Sequence, residues 1–476
     1  MTPAAEAAAG TAYRTPAAQG PTAVLGLREA ITLIVGVVIG AGIFKAPSMV
    51  AGMAGSTAWM FGAWILGGLI SLIGALCYAE LTTAYASAGG DYHFLRRAYG
   101  RTVSFLFGWA RFSVITTGSI ALLAFVFGDY MNQALPLPWF GSALYAMAAI
   151  AVLSWINLRG IKAGTSAQTW LTALEVMGLL LIVVAALFLA GTGASPVMAA
   201  ESPASVPAGP ASTFGLAMVF VLLTYGGWNE AAYISAELKN RRHNMVRALV
   251  ISILIITALY LMVTWAYWRG LGLQGMARSE ALAADLLKVA FGPTGEKIIS
   301  VMVAVAALTS INATMIVGAR TSYAVGQDWP ALGKLAFWDG ALGTPVNAMR
   351  AQCAAALLLV LLGAWTGSGF KSMVEFTAPV FWLFFLLSGM ALFVLRVREP
   401  QVERPFKVPL YPLLPIIFCA TCAYMLWSSL SYVYSQSLGG LNAAWIGVGV
   451  LALGAVLLLL VSRVPAKRND SLSPNP

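Results

Sequence analysis

The sequence predicts an all-α polytopic membrane protein with twelve transmembrane helices. Hydrophobic residues make up 59% of the 476 residues and charged residues only 10%, and the mean hydropathy is +0.81. A soluble domain carries about 25% charged residues, so most of this surface must face lipid. The composition excludes a soluble enzyme, a disulfide-stabilised scaffold and a disordered chain.

Twelve apolar windows are long enough to cross the hydrocarbon core of a bilayer, which takes about 20 helical residues. In order, they cover residues 27–51, 57–84, 103–132, 139–158, 166–190, 212–236, 246–269, 294–325, 344–366, 372–394, 410–434 and 443–461. A further segment, 275–290, is amphipathic and fits either a short helix over the outer mouth or a plain surface connector.

Basic residues concentrate in the connections after the even-numbered spans, such as Arg96 and Arg97 after the second and Arg396 and Arg398 after the tenth. This distribution explains the net charge of +10, which therefore does not indicate nucleic-acid binding. By the positive-inside rule, both termini are predicted to be cytoplasmic. We therefore expect a multi-pass protein of the cell membrane.

Glycines interrupt the first span at Gly36, Gly40 and Gly42 and the sixth span at Gly226 and Gly227. For either cluster alone, close helix packing is an alternative explanation. Clusters at corresponding positions of two five-span blocks indicate a transporter, and because five is odd, the blocks must be inverted relative to each other.

The predicted organisation follows from these blocks. Residues 27–190 form the first five-helix repeat and residues 212–395 the second, with an extracellular loop over 191–211 between them. Residues 396–463 add two helices, and the tails 1–26 and 464–476 are cytoplasmic. The first tail is rich in Ala, Pro and Thr and lacks an apolar stretch, so it is predicted to be disordered rather than a signal peptide.

Unwound backbone in a membrane persists only beside a cavity or ligand, since each unpaired group is costly in lipid. The freed amides of Ala41, Gly42 and Ile43 at a helix N-terminus form a site for an anion. Carbonyls at the C-terminal ends of the inner half-helices attract a cation. A carboxylate and an ammonium group held a few ångströms apart describe an α-amino acid.

Several stretches resemble one transporter family. They are 36–44 with Pro47, 78–81 and 89–92, 157–168, 225–229 with Glu237, Asn240 and Asn244, and 308–323 with Asn312 and Arg320. On these residues the chain resembles the amino acid, polyamine and organocation transporter superfamily, in particular its L-type and bacterial amino-acid permease branch. The resemblance implies the leucine-transporter fold and transport of amino acids by alternating access.

The resemblance also implies particular substrate contacts. Trp228 and Asn229 would line the pocket below the outer gate, where L-type relatives carry an aromatic residue at the position of Leu223. The implied backbone contacts are the amides of Ala41 and Gly42 for the carboxylate and the carbonyls of Val38, Leu223 and Gly226 for the ammonium group.

Glu175 in the fifth span is the most informative departure from the family. Many sodium-independent relatives carry a Lys at this position, which substitutes for a sodium ion between the first and eighth spans. Because an unpaired carboxylate in lipid is costly, Glu175 should be protonated, paired or ion-bound. One hypothesis assigns it to a coupling-ion site with the hydroxyls of Thr309 and Ser310. The alternative is an ion pair with Arg111, inside the third span.

Two further charges lie at the glycine breaks. Glu230 follows the break in the sixth span and Lys45 begins the outer half of the first. Glu230 either faces the pocket, where it would favour cationic substrates or carry a proton, or pairs with Lys45. Pairing is favoured because each isolated charge would be expensive.

These features predict a secondary active permease for amino acids, working as a proton-coupled symporter. The alternatives are an amino-acid exchanger, a sodium-coupled symporter, and a permease for cationic amino acids or polyamines. No enzyme, metal or cofactor is expected, because the two histidines, His93 and His243, lie in cytoplasmic connections and no metal-ligand or phosphate-loop motif occurs. The connection after the third span, 130–139, contains no Cys, so no disulfide-linked subunit is expected.

Overall fold

The computed structural model describes residues 22–40, 42–137, 139–191, 211–279, 282–366, 369–434, 437–438 and 441–462. Ala41, the tail residues 1–21 and 463–476, and residues 192–210 of the predicted extracellular loop lie outside this part of the chain.

The described residues fold almost entirely as helices. In chain order the α-helices are α1 (Leu27–Val38), α2 (Gly42–Ala54), α3 (Thr57–Ala84), α4 (Asp91–Tyr99), α5 (Arg101–Ala110), α6 (Thr116–Ala134), α7 (Gly141–Leu158), α8 (Ile161–Gly191), α9 (Ala211–Tyr225), α10 (Arg241–Arg278), α11 (Leu282–Phe291), α12 (Pro293–Asp328), α13 (Val346–Thr366), α14 (Gly369–Arg398), α15 (Leu413–Tyr434) and α16 (Ala443–Ser462).

Shorter elements join these helices. A π-helix, Arg111–Ile115, connects α5 to α6, and 3-10 helices follow α9 over Trp228–Glu237 and α12 over Pro330–Ala336. Two short strands, β1 (Ser437–Leu438) and β2 (Leu441–Asn442), pair antiparallel before α16.

A helix lies in every apolar window that the sequence predicts. Among the described residues, eight helices are long and apolar enough to cross a membrane. Large apolar side chains such as Trp170 and Leu361 are exposed on the outside of the bundle, as a lipid-facing surface requires. The predicted all-helical membrane protein is therefore confirmed, whereas the count of twelve spans stays a prediction.

Several helices extend beyond their predicted windows. α10 runs from Arg241 to Arg278, although its apolar window covers only 246–269, because hydropathy ignores the polar turns at helix ends. The amphipathic segment 275–290 divides between the end of α10 and the separate helix α11, which buries Leu282, Leu286 and Leu287. A short helix is therefore confirmed over residues 282–290, whereas its position over the outer mouth stays a prediction.

The first and sixth predicted spans are both broken at their glycines. After α1, Ile39 has extended backbone angles and the helix resumes only at Gly42. After α9, Gly227 has a φ of +111°, which favours glycine, and the chain continues as the 3-10 helix.

The two breaks pack against each other. A β-carbon added to Gly227 would lie 2.7 Å from Val37 Cγ1, and one added to Gly42 would lie 3.2 Å from Thr224 Cγ2. Helices α8, α10 and α12 pack around α1 and so enclose this region. The fold therefore brings both sets of unwound backbone to one place in the interior of the bundle.

The segment before α1 is tied to the end of the sixth predicted span. The amide of Leu25 donates to the carbonyl of Glu237 at 2.9 Å, and the amide of Lys239 donates to the carbonyl of Leu25 at 2.8 Å. Arg320 of α12 binds the carboxylate of the same Glu237, with Nη2 2.8 Å from Oε2. Parts of three predicted spans are thus fixed together at one end of the bundle.

Candidate functional site

Tyr260 of α10 joins the two broken helices. Its hydroxyl lies 2.9 Å from the carbonyl oxygen of Val38, at the end of α1, and 3.0 Å from that of Thr224, near the end of α9. The single hydroxyl hydrogen is shared between these two carbonyls, which the breaks would otherwise leave without helical partners. Sequence reasoning missed Tyr260, because one tyrosine in an apolar span forms no pattern.

Ser310 of α12 binds the first break from another side. Its hydroxyl lies 3.2 Å from the carbonyl oxygen of Gly36 and 3.1 Å from that of Ile39. Thr309, the other hydroxyl predicted from sequence, donates instead to the carbonyl of Val305 within its own helix at 2.8 Å. The sequence therefore identified two hydroxyl residues close to α1, and one of them contacts the broken backbone.

The predicted substrate residues lie along these breaks. Gly42 and Ile43 form the first turn of α2, where helix amides lack intrahelical partners, and Ala41 lies outside the described residues. The amide of Gly226 donates to the carbonyl of Leu223 at 3.1 Å. Trp228 is buried among aromatic rings, with Tyr78 and Phe385 centroids 5.3 and 5.4 Å away.

A polar stripe on α8 faces α1 and α12. Gln168 accepts a 2.8 Å hydrogen bond from Asn312 and donates to Thr172 at 3.1 Å, and Thr172 donates to the carbonyl of Thr32 at 3.3 Å. Glu175 follows one turn later on the same helix and lies beside Thr309. The stripe thus ends in a carboxyl group near the first break.

The carboxyl group of Glu175 is buried, with 3% of the residue exposed. Neither of its oxygens has a hydrogen-bond partner among the residues that the structure describes. A buried carboxylate without partners is costly, so this group must bind a proton or a cation to remain there.

Arg111 pairs with Glu230, and the predicted alternative in which it pairs with Glu175 is wrong. Arg111 Nη2 donates to Glu230 Oε2 in the bundle interior. The two residues lie on different helices, and the rotation of these helices, which hydropathy does not give, turns Arg111 toward the sixth span. The side chain of Lys45 lies outside the described part of the chain, so its pairing with Glu230 stays a prediction.

The pair belongs to a larger buried network. The guanidinium of Arg111 stacks over the ring of Tyr233, 4.0 Å from its centroid. The hydroxyls of Tyr233 and Tyr78 donate to Asp91 Oδ2 and Oδ1 at 2.9 and 2.6 Å. Arg111 begins the π-helix of the third predicted span, a local distortion that is frequent at functional sites.

A small cavity lies beside this network. Asp91, Arg111, Asn229 and Ser388 contribute its polar wall, and phenylalanine rings such as Phe385 contribute much of the rest. Asn229 lines the cavity, and Glu230 binds Arg111, which also lines it. Two predicted site residues of the sixth span therefore lie at or next to this cavity.

The described residues hold no cluster of His, Cys, Asp or Glu suited to a metal ion. His93 lies on α4, where burial and the nearby charges of Arg97 and Arg96 lower its pKa to about 4. This imidazole is therefore neutral at physiological pH.

Comparisons with known proteins agree with this architecture. Residues 25–459 match the family described as amino acid permease. The chain is 30% identical to the serine/threonine exchanger SteT of Bacillus subtilis (strain 168) over 414 residues, which cover 85% of this chain and 91% of the relative.

Human transporters are similar at the same level. The human large neutral amino acids transporter small subunit 2 is 30% identical over 421 residues, covering 85% of this chain and 75% of that protein. The human b(0,+)-type amino acid transporter 1 is 28% identical over 411 residues, covering 84% and 81%. These relatives are transporters and not enzymes, and they confirm the resemblance found in the sequence. The chain belongs to the amino acid permease family.

Proposed function

We propose that this protein moves amino acids across the cell membrane by alternating access, as a symporter coupled to protons. The observation that carries the coupling is Glu175, a buried carboxyl group with no hydrogen-bond partner among the described residues. It lies beside Thr309 on α12, a helix that packs against broken α1. A group at this position that takes up and releases a proton can change how α8, α12 and α1 pack together.

The substrate backbone binds at the two breaks. Its carboxylate meets the amides of Ala41, Gly42 and Ile43, and its ammonium group meets the carbonyls of Val38, Leu223 and Gly226. The hydrogen bond from Tyr260 to Val38 leaves this carbonyl one lone pair, since a carbonyl oxygen accepts two bonds. The close approach of Gly42 to Thr224 supports a single site shared by both breaks.

The proposed arrangement is twelve spans in a lipid bilayer, with two inverted five-helix repeats, two added helices and both termini in the cytoplasm. One human relative, the large neutral amino acids transporter small subunit 2, carries a subunit in its name. We propose that this chain works without a disulfide-linked subunit, because the connection 130–139 has no Cys.

Exchange is the second candidate, and the relative named a serine/threonine exchanger favours it. Sodium coupling is a third, supported by the Ser310 hydroxyl beside the carbonyls of Gly36 and Ile39, since such oxygens suit a hard cation. A permease for cationic substrates has less support, because Arg111 already neutralises Glu230.

Uptake of labelled amino acids into proteoliposomes tests the proposal. Three conditions are compared: an inward proton gradient, an inward sodium gradient, and internal unlabelled substrate without any gradient. We expect accumulation driven by the proton gradient. Uptake that requires internal substrate would instead identify an exchanger, and accumulation driven only by sodium would identify a sodium symporter.

The variant Glu175→Gln tests the role of this carboxyl group. We expect it to lose uphill uptake while it still equilibrates substrate. Glu403→Gln serves as the control, because Glu403 is an exposed carboxylate paired with Arg242 at 3.0 Å. Proton-driven accumulation by Glu175→Gln at the wild-type level would contradict the coupling role.

A further inference from the structure

Three basic residues lie at the same end of three neighbouring helices. Arg159 directly follows α7, Lys162 is the second residue of α8, and Arg350 lies near the start of α13. All three residues are exposed. α7 packs against both of the other helices, so the three positive charges belong to one continuous part of the protein surface.

The connections at this end are held together by a backbone hydrogen bond. The amide of Ile161, between Arg159 and Lys162, donates to the carbonyl of Leu342 at 2.8 Å, shortly before α13 begins. Gly160 allows this contact, because its φ is +118° and an added β-carbon would lie 2.8 Å from the same carbonyl oxygen. The start of α8 is therefore fixed beside the start of α13.

Each basic residue lies at the end of an exposed apolar helix face. These faces carry Val152 and Trp155 on α7, Trp170 and Met177 on α8, and Leu358 and Leu361 on α13. Each of these side chains lies close to a whole number of helical turns from the basic residue of its helix. The positive charges therefore lie where the lipid-facing surface meets the level of the lipid headgroups.

Arg159 is well placed to hold a phosphate group. Its guanidinium lies over the ring of Trp155, 3.7 Å from the centroid. Stacking uses the flat face of the guanidinium, while the N–H groups along its edge stay available. No hydrogen bond or ion pair within the described ranges occupies these groups. An arginine held in this way can bind a phosphate through two parallel hydrogen bonds.

The charge at this surface is not compensated by the protein. Elsewhere at the same end of the bundle arginines have acidic partners, such as Arg97 with Glu399 at 2.8 Å. Residues 141–170 and 339–366 contain three basic residues and one acid, Asp339, whose carboxylate accepts two backbone amides. The three basic residues have no ion-pair partner in the described part of the chain. An anionic group is therefore the complementary ligand.

We propose that the ends of α7, α8 and α13 form a binding site for an anionic phospholipid of the cytoplasmic leaflet. The phosphate binds the edge of the Arg159 guanidinium, Lys162 and Arg350 add positive charge, and the acyl chains lie along the apolar faces of the three helices. The choice of leaflet rests on the proposed orientation. No other part of the inference depends on the proposed function.

Two lipids with the same acyl chains test the site. The purified protein in detergent is offered dioleoyl phosphatidylglycerol and dioleoyl phosphatidylcholine in competition, and native mass spectrometry measures which lipid stays bound. We expect phosphatidylglycerol to be preferred about tenfold or more, because each nearby basic residue favours an anionic headgroup. The headgroup of phosphatidylcholine carries its own cation, which these residues repel.

Neutralising the basic residues should remove this preference. The triple variant carries Arg159→Gln, Lys162→Gln and Arg350→Gln, and we expect it to bind the two lipids about equally. Because all three positions are exposed, the variant should fold as the wild type does. Arg159→Lys keeps the charge but loses the stacked, two-pronged geometry, and should lower the preference by about threefold.

The matched control removes the same charge from another exposed surface. It carries three substitutions near the start of α10: Lys239→Gln, Arg241→Gln and Arg247→Gln. At that surface an acid is present, since Arg242 pairs with Glu403. We expect the control to keep the wild-type preference for phosphatidylglycerol.

Three results would overturn the inference. They are equal binding of both lipids by the wild type, an unchanged preference in the triple variant, and equal losses in the triple variant and its control. The last result would leave only attraction by the overall positive charge. An unchanged preference in Arg159→Lys would overturn the role of the stacked guanidinium. Because no amino acid is present, none of these results bears on transport, which the uptake experiment tests separately.

Discussion

The guanidinium of Arg111 and the carboxylate of Glu230 form an ion pair inside the helix bundle, between the third and sixth predicted spans. Both residues are removed from water, with side-chain exposures of 3% and 13%. The pair explains how an arginine can exist within an apolar span. It also separates two carboxyl groups that look alike in the sequence, since Glu230 has a counter-ion and Glu175 lacks a hydrogen-bond partner among the described residues.

The pair makes a prediction about stability. Arg111→Met alone leaves the carboxylate of Glu230 buried without a partner, and we expect it to lower the free energy of unfolding by about 3–5 kcal/mol. The double variant with Glu230→Met should recover most of this loss, because no lone charge remains. Thermal unfolding of the purified proteins in detergent measures both. A double variant no more stable than Arg111→Met would contradict the direct pairing.

The hydroxyl of Tyr260 should matter for transport more than for folding. Tyr260→Phe removes the donor shared by the carbonyls of Val38 and Thr224. We expect a loss of about 0.5–1.5 kcal/mol in stability, and a clear loss of substrate uptake because the two breaks are no longer joined.

Tyr267→Phe is the matched control for this variant. Tyr267 is buried in the same helix, and its hydroxyl has no hydrogen-bond partner in the part of the chain that the structure describes. We expect its uptake to match the wild type. Equal losses in both variants would show that the effect comes from changing any buried tyrosine of α10.

Sequence reasoning located the helices and both breaks, because long apolar windows and mid-span glycines leave few other interpretations. It did not locate the partner of Arg111, which lies 119 positions away on another helix. Pairing inside a bundle depends on helix rotation. α8, which carries Glu175, and α10, which carries Tyr260, have almost no net apolar face that would show which way these residues point. Tyr260 was missed for the same reason, since its role exists only where three helices meet.

His93 gives a prediction for pH. Its pKa falls from 6.5 to about 4 in the folded protein through burial and the charges of Arg97 and Arg96. Between these two values the unfolded chain binds a proton that the native state does not, so stability must fall as the pH drops through this window. We expect His93→Gln to be less sensitive to acid in thermal unfolding between pH 6.5 and pH 4.

The same variant separates stability from coupling. Because His93 stays neutral from pH 5 to pH 8, the pH profile of uptake in this range should be the same for His93→Gln and the wild type. A profile that flattens in His93→Gln would make this histidine, rather than Glu175, the group that carries the proton.

Gly36 tests the packing between α1 and the polar stripe on α8. A β-carbon at this position would overlap Nε2 of Gln168 and lie 2.8 Å from Oγ1 of Thr172. Both side chains are held by hydrogen bonds, since Gln168 is bound by Asn312 and Thr172 binds the carbonyl of Thr32. We therefore expect Gly36→Ala to destabilise the protein by about 1–3 kcal/mol and to reduce transport, because α1 is pushed away from α8 and α12.

Gly62→Ala is the control, because a β-carbon on Gly62 in α3 meets no atom within 4 Å. Alanine at an unobstructed helical position should leave stability equal or slightly higher. Thermal unfolding and uptake are measured for both variants in the same preparation. If Gly36→Ala unfolds and transports like Gly62→Ala, then α1 is not held against the polar stripe. Protonation of Glu175, at the end of that stripe, could then not act on the first break through this packing.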